Sequence, residues 1–205
     1  MASWHIHEGQ AIALPMPGID TDQLLPARFM STPRGDGYGR FLMHDLRFDE
    51  EGSTRRDFPL NRHQEVSVIV AGRNFGGGSS REAAVYALVD FGIRAVLAPS
   101  FGDIFASNAV NNGLLPAVVS EADEKALVDS LGDHAHAATV CLDSCTITVG
   151  ERTIAFDLDR VWRTKLTEGW DDIDLTASHT ASIAAFGESD RLERPWAYLD
   201  AQHDA

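Results

Sequence analysis

The sequence predicts an α/β fold in a single domain. Between residues 66 and 119, apolar runs of strand length alternate with segments of helical periodicity, in the order strand, helix, strand, helix, strand. This alternation is typical of parallel crossover units whose helices cover a sheet. The chain has 205 residues, a length that suits one sizeable core or at most two small ones, and its content of 44% hydrophobic and 23% charged residues is typical of a globular protein. We therefore interpret residues 1–205 as one domain.

The individual elements are predicted from apolar periodicity and from helix-ending residues. WHIHEGQAIAL at the start of the chain predicts the strand of an early hairpin. The crossover region follows with VSVIVA (66–71), REAAVYALVDF (81–91) ending at Gly92, RAVLAP (94–99), FGDIFASNAVNN (101–112) ending at Gly113, and LLPAVV. Ser120 with Asp123 predicts an N-cap for EADEKALVDSL. A hairpin of TVCL and TITV, a strand TIAFDL and a helix DRVWRTKLTEG complete the prediction.

Charge and hydropathy narrow the class of partner. The formal net charge is −14, and binding to nucleic acid or to an anionic membrane surface requires clustered Lys and Arg. No apolar run approaches the roughly 20 residues that span a bilayer, and MASWHIHEGQ lacks the features of a signal peptide. We therefore predict a cytoplasmic chain whose partner is a small molecule or another protein.

The cysteines and histidines form no recognisable metal-binding motif. Cys141 and Cys145 are the two cysteines, and in one straight strand they would lie about 13 Å apart, too far for a disulfide. We interpret them as small core residues. An iron–sulfur cluster usually needs three or four thiolates, and the histidines form no HExxH motif. No metal site is predicted in this chain.

The segment from Ser31 to Asn61 differs in character from the rest. It is rich in glycine, proline and charge, with the semi-apolar insert FLMHDLRF in its middle. Long loops inside compact domains are commonly functional. We therefore predict a mobile lid or specificity loop at about residues 31–56; a tolerated insertion is the alternative.

The stretch NFGGGSSRE (74–82) lies between a predicted buried strand and the first turn of a predicted helix. Free backbone N–H groups and the positive end of the helix dipole favour an anion there, and Gly76, Gly77 and Gly78 allow a ligand to approach the main chain. The stretch lacks the lysine of a phosphate-binding P-loop and the third glycine of a dinucleotide fingerprint. A site for a smaller anion, such as a carboxylate, remains, with Arg81 available for a bidentate contact.

Helix capping is the alternative interpretation of this stretch. Ser79 followed three residues later by Glu82 has the spacing of a capping box. A cap needs one serine and no glycine triplet, so Ser80, Arg81 and the glycines exceed what capping requires.

Three motifs in order carry a family resemblance. NFGGGSSRE, FGIRAVLAPSFGDIFASNAVNNGLLPAVV and GIDTDQLLPARFM resemble the small subunits of isopropylmalate isomerase (3-isopropylmalate dehydratase), the free-standing form of the aconitase swivel domain. FLMHDLRFDEEG and IDLTASHTASIAAF are also similar, so the resemblance covers nearly the whole chain. It implies a single swivel-type domain with a mixed β-sheet or partly open barrel core, covered by helices in β/β/α layers.

The resemblance also implies an activity. In this family the small subunit serves a hydro-lyase that isomerises 2-isopropylmalate to 3-isopropylmalate by dehydration and rehydration in leucine biosynthesis. A separate large subunit carries a [4Fe–4S] cluster, in a heterodimer or heterotetramer. Carried over by position, Ser79 would be the general base, and Ser80 and Arg81 would bind the substrate carboxylate. Thr21, Asp22 and Arg40 are further substrate-binding candidates.

Two positions depart from the family pattern NFGCGSSREHA. Gly77 stands where the family usually has cysteine, and Ala83 stands where it usually has histidine. Two alternatives therefore remain beside the isomerase subunit. One is a diverged paralogue that acts on a related hydroxy di- or tricarboxylate, and the other is a non-catalytic carboxylate-binding module.

Overall fold

A seven-stranded mixed sheet organises the chain in the computed structural model, which describes residues 3–198. Its strands are β1 (Ile6–Leu14), β2 (Val66–Ala71), β3 (Ala95–Ala98), β4 (Leu115–Val118), β5 (His136–Cys141), β6 (Thr146–Val149) and β7 (Arg152–Ala155). Their spatial order is β4-β3-β2-β1-β5-β6-β7. The α/β class and the mixed sheet are therefore confirmed.

Nine α-helices surround the sheet in the described part of the chain. They are α1 (Thr21–Leu24), α2 (His44–Arg47), α3 (Pro59–Arg62), α4 (Glu82–Phe91), α5 (Asp103–Asn111), α6 (Glu121–Leu131), α7 (Arg160–Glu168), α8 (Asp172–Ala177) and α9 (Thr180–Glu193). Short 3-10 turns occupy Ala27–Phe29, Arg34–Asp36, Gly39–Phe41 and Pro195–Ala197. No helix within residues 3–198 combines the length and apolar content needed to cross a membrane.

β1 is the strand at which the sheet changes character. It pairs in parallel with β2 and antiparallel with β5, so it joins the parallel half β1–β4 to the antiparallel meander β5–β7. The prediction of an early hairpin for this strand is therefore wrong. Apolar alternation reports which residues of a strand are buried, but it carries no information about which distant strand supplies the backbone hydrogen bonds.

The two outer ends of the sheet approach each other. Val118 at the end of β4 and Asp157 just beyond β7 exchange two backbone hydrogen bonds, Val118 N to Asp157 O at 3.2 Å and Asp157 N to Val118 O at 2.7 Å. This contact curls the sheet into a half-barrel and protects part of an edge that would otherwise be unpaired.

The two faces of the sheet bury separate cores. On β1, Ile12 and Leu14 point into one core, while Ala11 and Ala13 point into the other. Helices α4 and α5 and the segment 19–60 cover the first face, whereas α6, α7 and the inward side chains of β5–β7 fill the second. Successive side chains of one strand thus enter the two cores in alternation. For this reason β1 and β2 are apolar at successive positions.

Helix ends follow several of the predicted signals. Ser120 accepts a hydrogen bond from the backbone N–H of Asp123, which confirms the N-cap of α6. Gly92 ends α4 with φ 109°, a left-handed conformation that glycine adopts without steric cost. The predicted helix at 159–169 forms as α7, with Asp159 as its N-cap.

The segment 31–56 contains short helices rather than continuous irregular chain. Tyr38, Leu42 and Met43 are buried in the first core, and Asp90 of α4 accepts hydrogen bonds from both Arg34 and the backbone N–H of Tyr38. Residues 48–57 are mostly exposed. The mobility of this segment stays a prediction, and the exposed residues have the least burial to oppose it.

Both cysteines are free. They do not share a straight strand, because Cys141 ends β5 and Cys145 lies in the turn before β6 with φ 51°. They are half-buried, so the prediction of two core residues is only partly right. The hydroxyl and backbone N–H of Ser144 lower the pKa of the Cys141 thiol through hydrogen bonds.

Candidate carboxylate-binding loop

The glycine triplet is packed between two other segments of the chain, the loop after β1 and the residues that lead into α5. Gly76 donates its backbone N–H to the carbonyl of Ile19 at 2.7 Å, and on the other side Gly102 donates to the carbonyl of Phe75 at 2.9 Å. A Cβ placed on Gly76 would lie 2.1 Å from the ring of Phe105. Gly76 and Gly78 have φ of 72° and 95°. The loop therefore needs glycine both for its backbone conformation and for its close approach to α5.

The loop after β1 is paired with the glycine loop by backbone contacts. Asp20 and Gly77 form a parallel bridge, and Thr21 donates its backbone N–H to the carbonyl of Gly77 at 3.0 Å. The buried hydroxyl of Thr21 donates to the carbonyl of Ser79, also at 3.0 Å. These bonds fix the position of Ser79 relative to α1.

Asp22 and Arg81 form an ion pair across the two loops. The guanidinium of Arg81 donates to a carboxylate oxygen of Asp22. The Arg81 side chain is 24% exposed and the Asp22 side chain 55% exposed, so the pair is reachable from solvent. The Arg81 guanidinium thus binds a carboxylate of this chain, and a ligand carboxylate would have to displace Asp22 to take its place.

The helix-capping interpretation of the serines is wrong. The helix α4 begins at Glu82, its N-cap residue is Arg81, and no side-chain hydrogen bond caps it. Glu82 instead accepts a hydrogen bond from the side-chain amide of Asn112 at 3.0 Å. Ser79 and Ser80 are exposed, and neither hydroxyl makes a hydrogen bond within the described residues 3–198. The serines are therefore free to contact a ligand at the positive end of a ten-residue helix.

Arg40 lies near the C-terminal end of α4, away from the serine loop at its N-terminal end. Its neighbour Gly39 packs on the backbone of Asp90 and Phe91 at the last turn of α4, whereas the serine loop precedes the first turn. A helix of this length separates its ends by about 13 Å. The Arg40 guanidinium lies 4.6 Å from the centre of the Phe41 ring. The structure thus brings Ser79, Ser80, Arg81, Thr21 and Asp22 together and leaves Arg40 outside the group.

The sequence analysis missed three residues that hold the loop and its neighbouring segments in place. Asp20 caps α1 in a capping box with Gln23, and the spacing D-x-x-Q is a signal that could have identified it. The hydroxyl of Ser100 accepts from the backbone N–H of Asn74 at 2.9 Å, and Asn112 holds Glu82. The last two contacts link residues distant in sequence and have no local signature.

The described residues assemble no metal centre of their own. Within 3–198, no group of three or more His, Cys, Asp or Glu side chains is placed to hold a metal ion. At the loop, the Asp22 carboxylate is paired with Arg81, and the serine hydroxyls and the guanidinium are donors that suit an anion.

Comparison with known proteins assigns the chain to a family. The profile of the family described as the aconitase C-terminal domain matches residues 7–122. The small subunit of 3-isopropylmalate dehydratase from Caulobacter vibrioides is 42% identical over 192 residues, covering 92% of this chain and 95% of the relative. That from Rhodospirillum centenum is 40% identical over 201 residues, covering 96% of this chain and 99% of the relative.

A solved structure shares the architecture. The crystal structure of 3-isopropylmalate dehydratase from Methanocaldococcus jannaschii aligns with a TM-score of 0.63 at 28% identity, covering 88% of this chain and 98% of that one. The half-barrel sheet and the glycine loop thus define a protein of the aconitase C-terminal domain class. Within that class, the chain belongs to the family of 3-isopropylmalate dehydratase small subunits.

Proposed function

We propose that this chain is the small subunit of a hydro-lyase that converts 2-isopropylmalate to 3-isopropylmalate in the cytoplasm, as part of leucine biosynthesis. One observation carries the proposal. Two exposed serines that do not cap α4 lie at its start, beside Arg81, which is paired with Asp22. Family membership supplies the reaction, and the loop supplies groups that fit a hydroxy-dicarboxylate.

The proposed roles follow from the chemistry of each group. Arg81 and Ser80 bind a substrate carboxylate, with the guanidinium exchanging Asp22 for the ligand. Ser79 takes the proton from the carbon beside the hydroxyl-bearing carbon; the electrons of that C–H bond form the double bond as the hydroxyl leaves. A serine hydroxyl is a weak base in water, so the amides of the glycine loop, the N-terminus of α4 and Arg81 must stabilise its alkoxide.

The large subunit would contribute the remaining chemistry. A [4Fe–4S] cluster held there would act as the Lewis acid for the leaving hydroxyl. The residues of this chain bind and orient the substrate from the opposite side. We propose that the two subunits associate as a heterodimer or a multiple of it, and that the segment 31–56 moves when they close.

Ala83 favours a second candidate function, a diverged paralogue for a related hydroxy acid. It is half-buried against the first core in the first turn of α4, and it offers no polar atom at a position where the family usually has histidine. A larger or differently substituted acid could use that space. The non-catalytic alternative predicts carboxylate binding without turnover.

Anaerobic reconstitution tests these functions together. The chain is mixed with candidate large subunits and assayed on 2-isopropylmalate, citrate and methylated malates. Turnover of 2-isopropylmalate with the highest kcat/KM supports the proposal, and a higher kcat/KM on another acid supports the paralogue. Carboxylate binding to a stable complex without turnover of any acid would leave only the binding module.

A further inference from the structure

The C-terminal arm, residues 172–198, has an apolar surface that nothing in the described chain covers. In α9, twelve of the fourteen residues are exposed, including Ile183 at 52% and Phe186 at 65%. Ile173 of α8 and Trp196 after α9 are more than three-quarters exposed. An isolated helix shorter than about 12 to 15 residues is marginal in water and depends on packing. Such a helix has little support from its own domain.

The end of the arm is nevertheless well defined by its own contacts. Asp190 accepts hydrogen bonds from Arg194 and from the hydroxyl of Tyr198, each at 2.6 Å, and its side chain is buried by them. These bonds close the last turn of α9 without using any residue of the sheet. Contacts within the arm therefore define the conformation of its end without a covering partner.

Asp172, the first residue of the arm and here called its root, is connected to the serine loop through side-chain contacts. Asp172 receives hydrogen bonds from the buried Lys165 at 2.6 Å and from Asn111 at 3.2 Å. The next residue, Asn112, donates to Glu82, which directly follows Arg81. A partner that closes over the serine loop is therefore adjacent to the root of the arm.

The negative charge of the arm favours a different chain over a second copy of this chain as the partner that covers its apolar face. The arm carries five carboxylates and two guanidiniums, and the whole chain has a formal net charge of −14. Pairing two identical arms would bring like charges together around the apolar face, which costs free energy. A different chain with basic residues around an apolar groove would instead complement this surface.

The extent of the sequence matches is consistent with a role between subunits. The aconitase C-terminal domain profile ends at residue 122, well before the arm. Alignment with a separate small subunit over 201 residues, 96% of this chain, necessarily includes most of it. The arm thus belongs to the part of the sequence that matches free-standing subunits.

We propose that the apolar face of α9, with Ile183 and Phe186 at its centre, docks in a groove of the large subunit and holds the two chains together during turnover. This inference rests on the proposed function, because it requires that a large subunit exists. It assigns to the arm the affinity of the complex, and to the serine loop the chemistry.

The test compares three variants of the full chain with the large subunit. The double variant Ile183→Gln/Phe186→Gln retains side chains that suit a helix, and Ile6→Gln is the matched control, because Ile6 is 59% exposed at the start of β1. Ser79→Ala reports the chemistry. Dissociation constants are measured by anaerobic calorimetry or sedimentation, and kcat is measured at saturating large subunit. Circular dichroism checks that each variant is folded.

The double variant is expected to raise the Kd for the large subunit at least tenfold and to keep its kcat at saturation, whereas Ile6→Gln changes neither. Unchanged affinity of the double variant would overturn the docking proposal. So would a wild-type dimer that the double variant converts to monomer without loss of large-subunit affinity, since a second copy would then be the occupant. A wild-type chain that binds no large subunit would instead contradict the proposed function itself.

Discussion

The hydroxyl of Thr21 donates a hydrogen bond to the backbone carbonyl of Ser79 at 3.0 Å, between residues separated by 58 positions in the sequence. Thr21 is buried, while Ser79 is exposed at the same junction. A core residue of α1 thus sets the position of a solvent-facing loop whose glycines would otherwise leave it loose. The first prediction concerns this bond.

Thr21→Val should reduce kcat while leaving the overall fold intact. Valine has the shape of threonine but cannot donate, so the Ser79 carbonyl loses its partner and the loop gains freedom. The free energy of unfolding should fall by roughly 0.5–1.5 kcal/mol, a few degrees in Tm for a chain of this size. Thr21→Ser keeps the donor and should behave nearly as wild type. Equal kcat in Thr21→Val and wild type would show that this bond does not position the serine.

Ser79→Ala should abolish turnover with almost no change in stability. Loss of a general base commonly costs about 10² to 10⁴ in rate. A helix-capping serine would also lose roughly 0.5–2 kcal/mol of stability on replacement, but α4 has no side-chain cap. Steady-state kinetics and thermal melts of the same preparation separate the two effects. A variant that melts lower and keeps most of its kcat would end the catalytic assignment.

Arg81→Lys should raise the KM for a dicarboxylate more than it lowers kcat. Lysine keeps the positive charge, but it loses the fork of donors that contacts two carboxylate oxygens. The matched change Asp22→Asn leaves Arg81 intact and removes the competing carboxylate, so its KM should not rise. The two KM values, measured in the assembled enzyme, give the comparison, and a parallel rise in both would argue that the ion pair is purely structural.

The segment 31–56 should exchange amide hydrogens fastest at its exposed residues. Residues 48–57 have little burial, whereas Tyr38, Leu42 and Met43 lie in the first core. Asp90→Asn weakens the contacts to Arg34 and to the Tyr38 amide, and we expect faster exchange in peptides covering 31–38. Hydrogen exchange followed by mass spectrometry checks both points. Protection of 48–57 equal to that of β2 would contradict a lid.

Asp172→Asn should destabilise the root of the C-terminal arm in a pH-dependent way. Hydrogen bonding and charge from Lys165 lower the pKa of Asp172 below its usual value of 3.8. A carboxyl whose pKa is lower in the folded state stabilises that state above about pH 4, and this contribution is lost as the pH falls through the folded pKa. Asp172 is 70% exposed, so solvent screening limits the effect to about 1 kcal/mol.

Thermal melts across pH check the linkage at Asp172. At pH 7 the Asp172→Asn variant should melt a few degrees below wild type, and the difference should shrink below pH 4 as wild-type Asp172 becomes protonated. Asp174→Asn is the comparison variant on the same helix, because the Asp174 carboxylate accepts from the backbone N–H of Asp171 rather than from Lys165 and asparagine keeps an acceptor oxygen. A difference that stays constant from pH 7 to pH 3 would show that the charge of Asp172 contributes nothing to the root of the arm.

The sequence by itself determined the parallel crossover unit, the extent of most of its strands and helices, and the loop that contains Ser79 and Arg81. These features are local: apolar spacing reports which face of an element is buried, and the glycine triplet reports the backbone conformation after β2. The family motifs, which are continuous stretches of chain, were equally visible. Such local sequence signals predict the element in which they occur, but not the partners with which that element packs.

Only the tertiary structure decided how these elements meet. It placed β1 between β2 and β5, set Thr21 and Asp22 against Ser79 and Arg81, left α4 without a side-chain cap, and put Arg40 at the other end of that helix. Each of these outcomes depends on contacts between segments far apart in the sequence, formed largely by backbone groups that are the same in almost every residue. The free energy of such pairings comes from the packing of the whole core, so no short stretch of sequence encodes it.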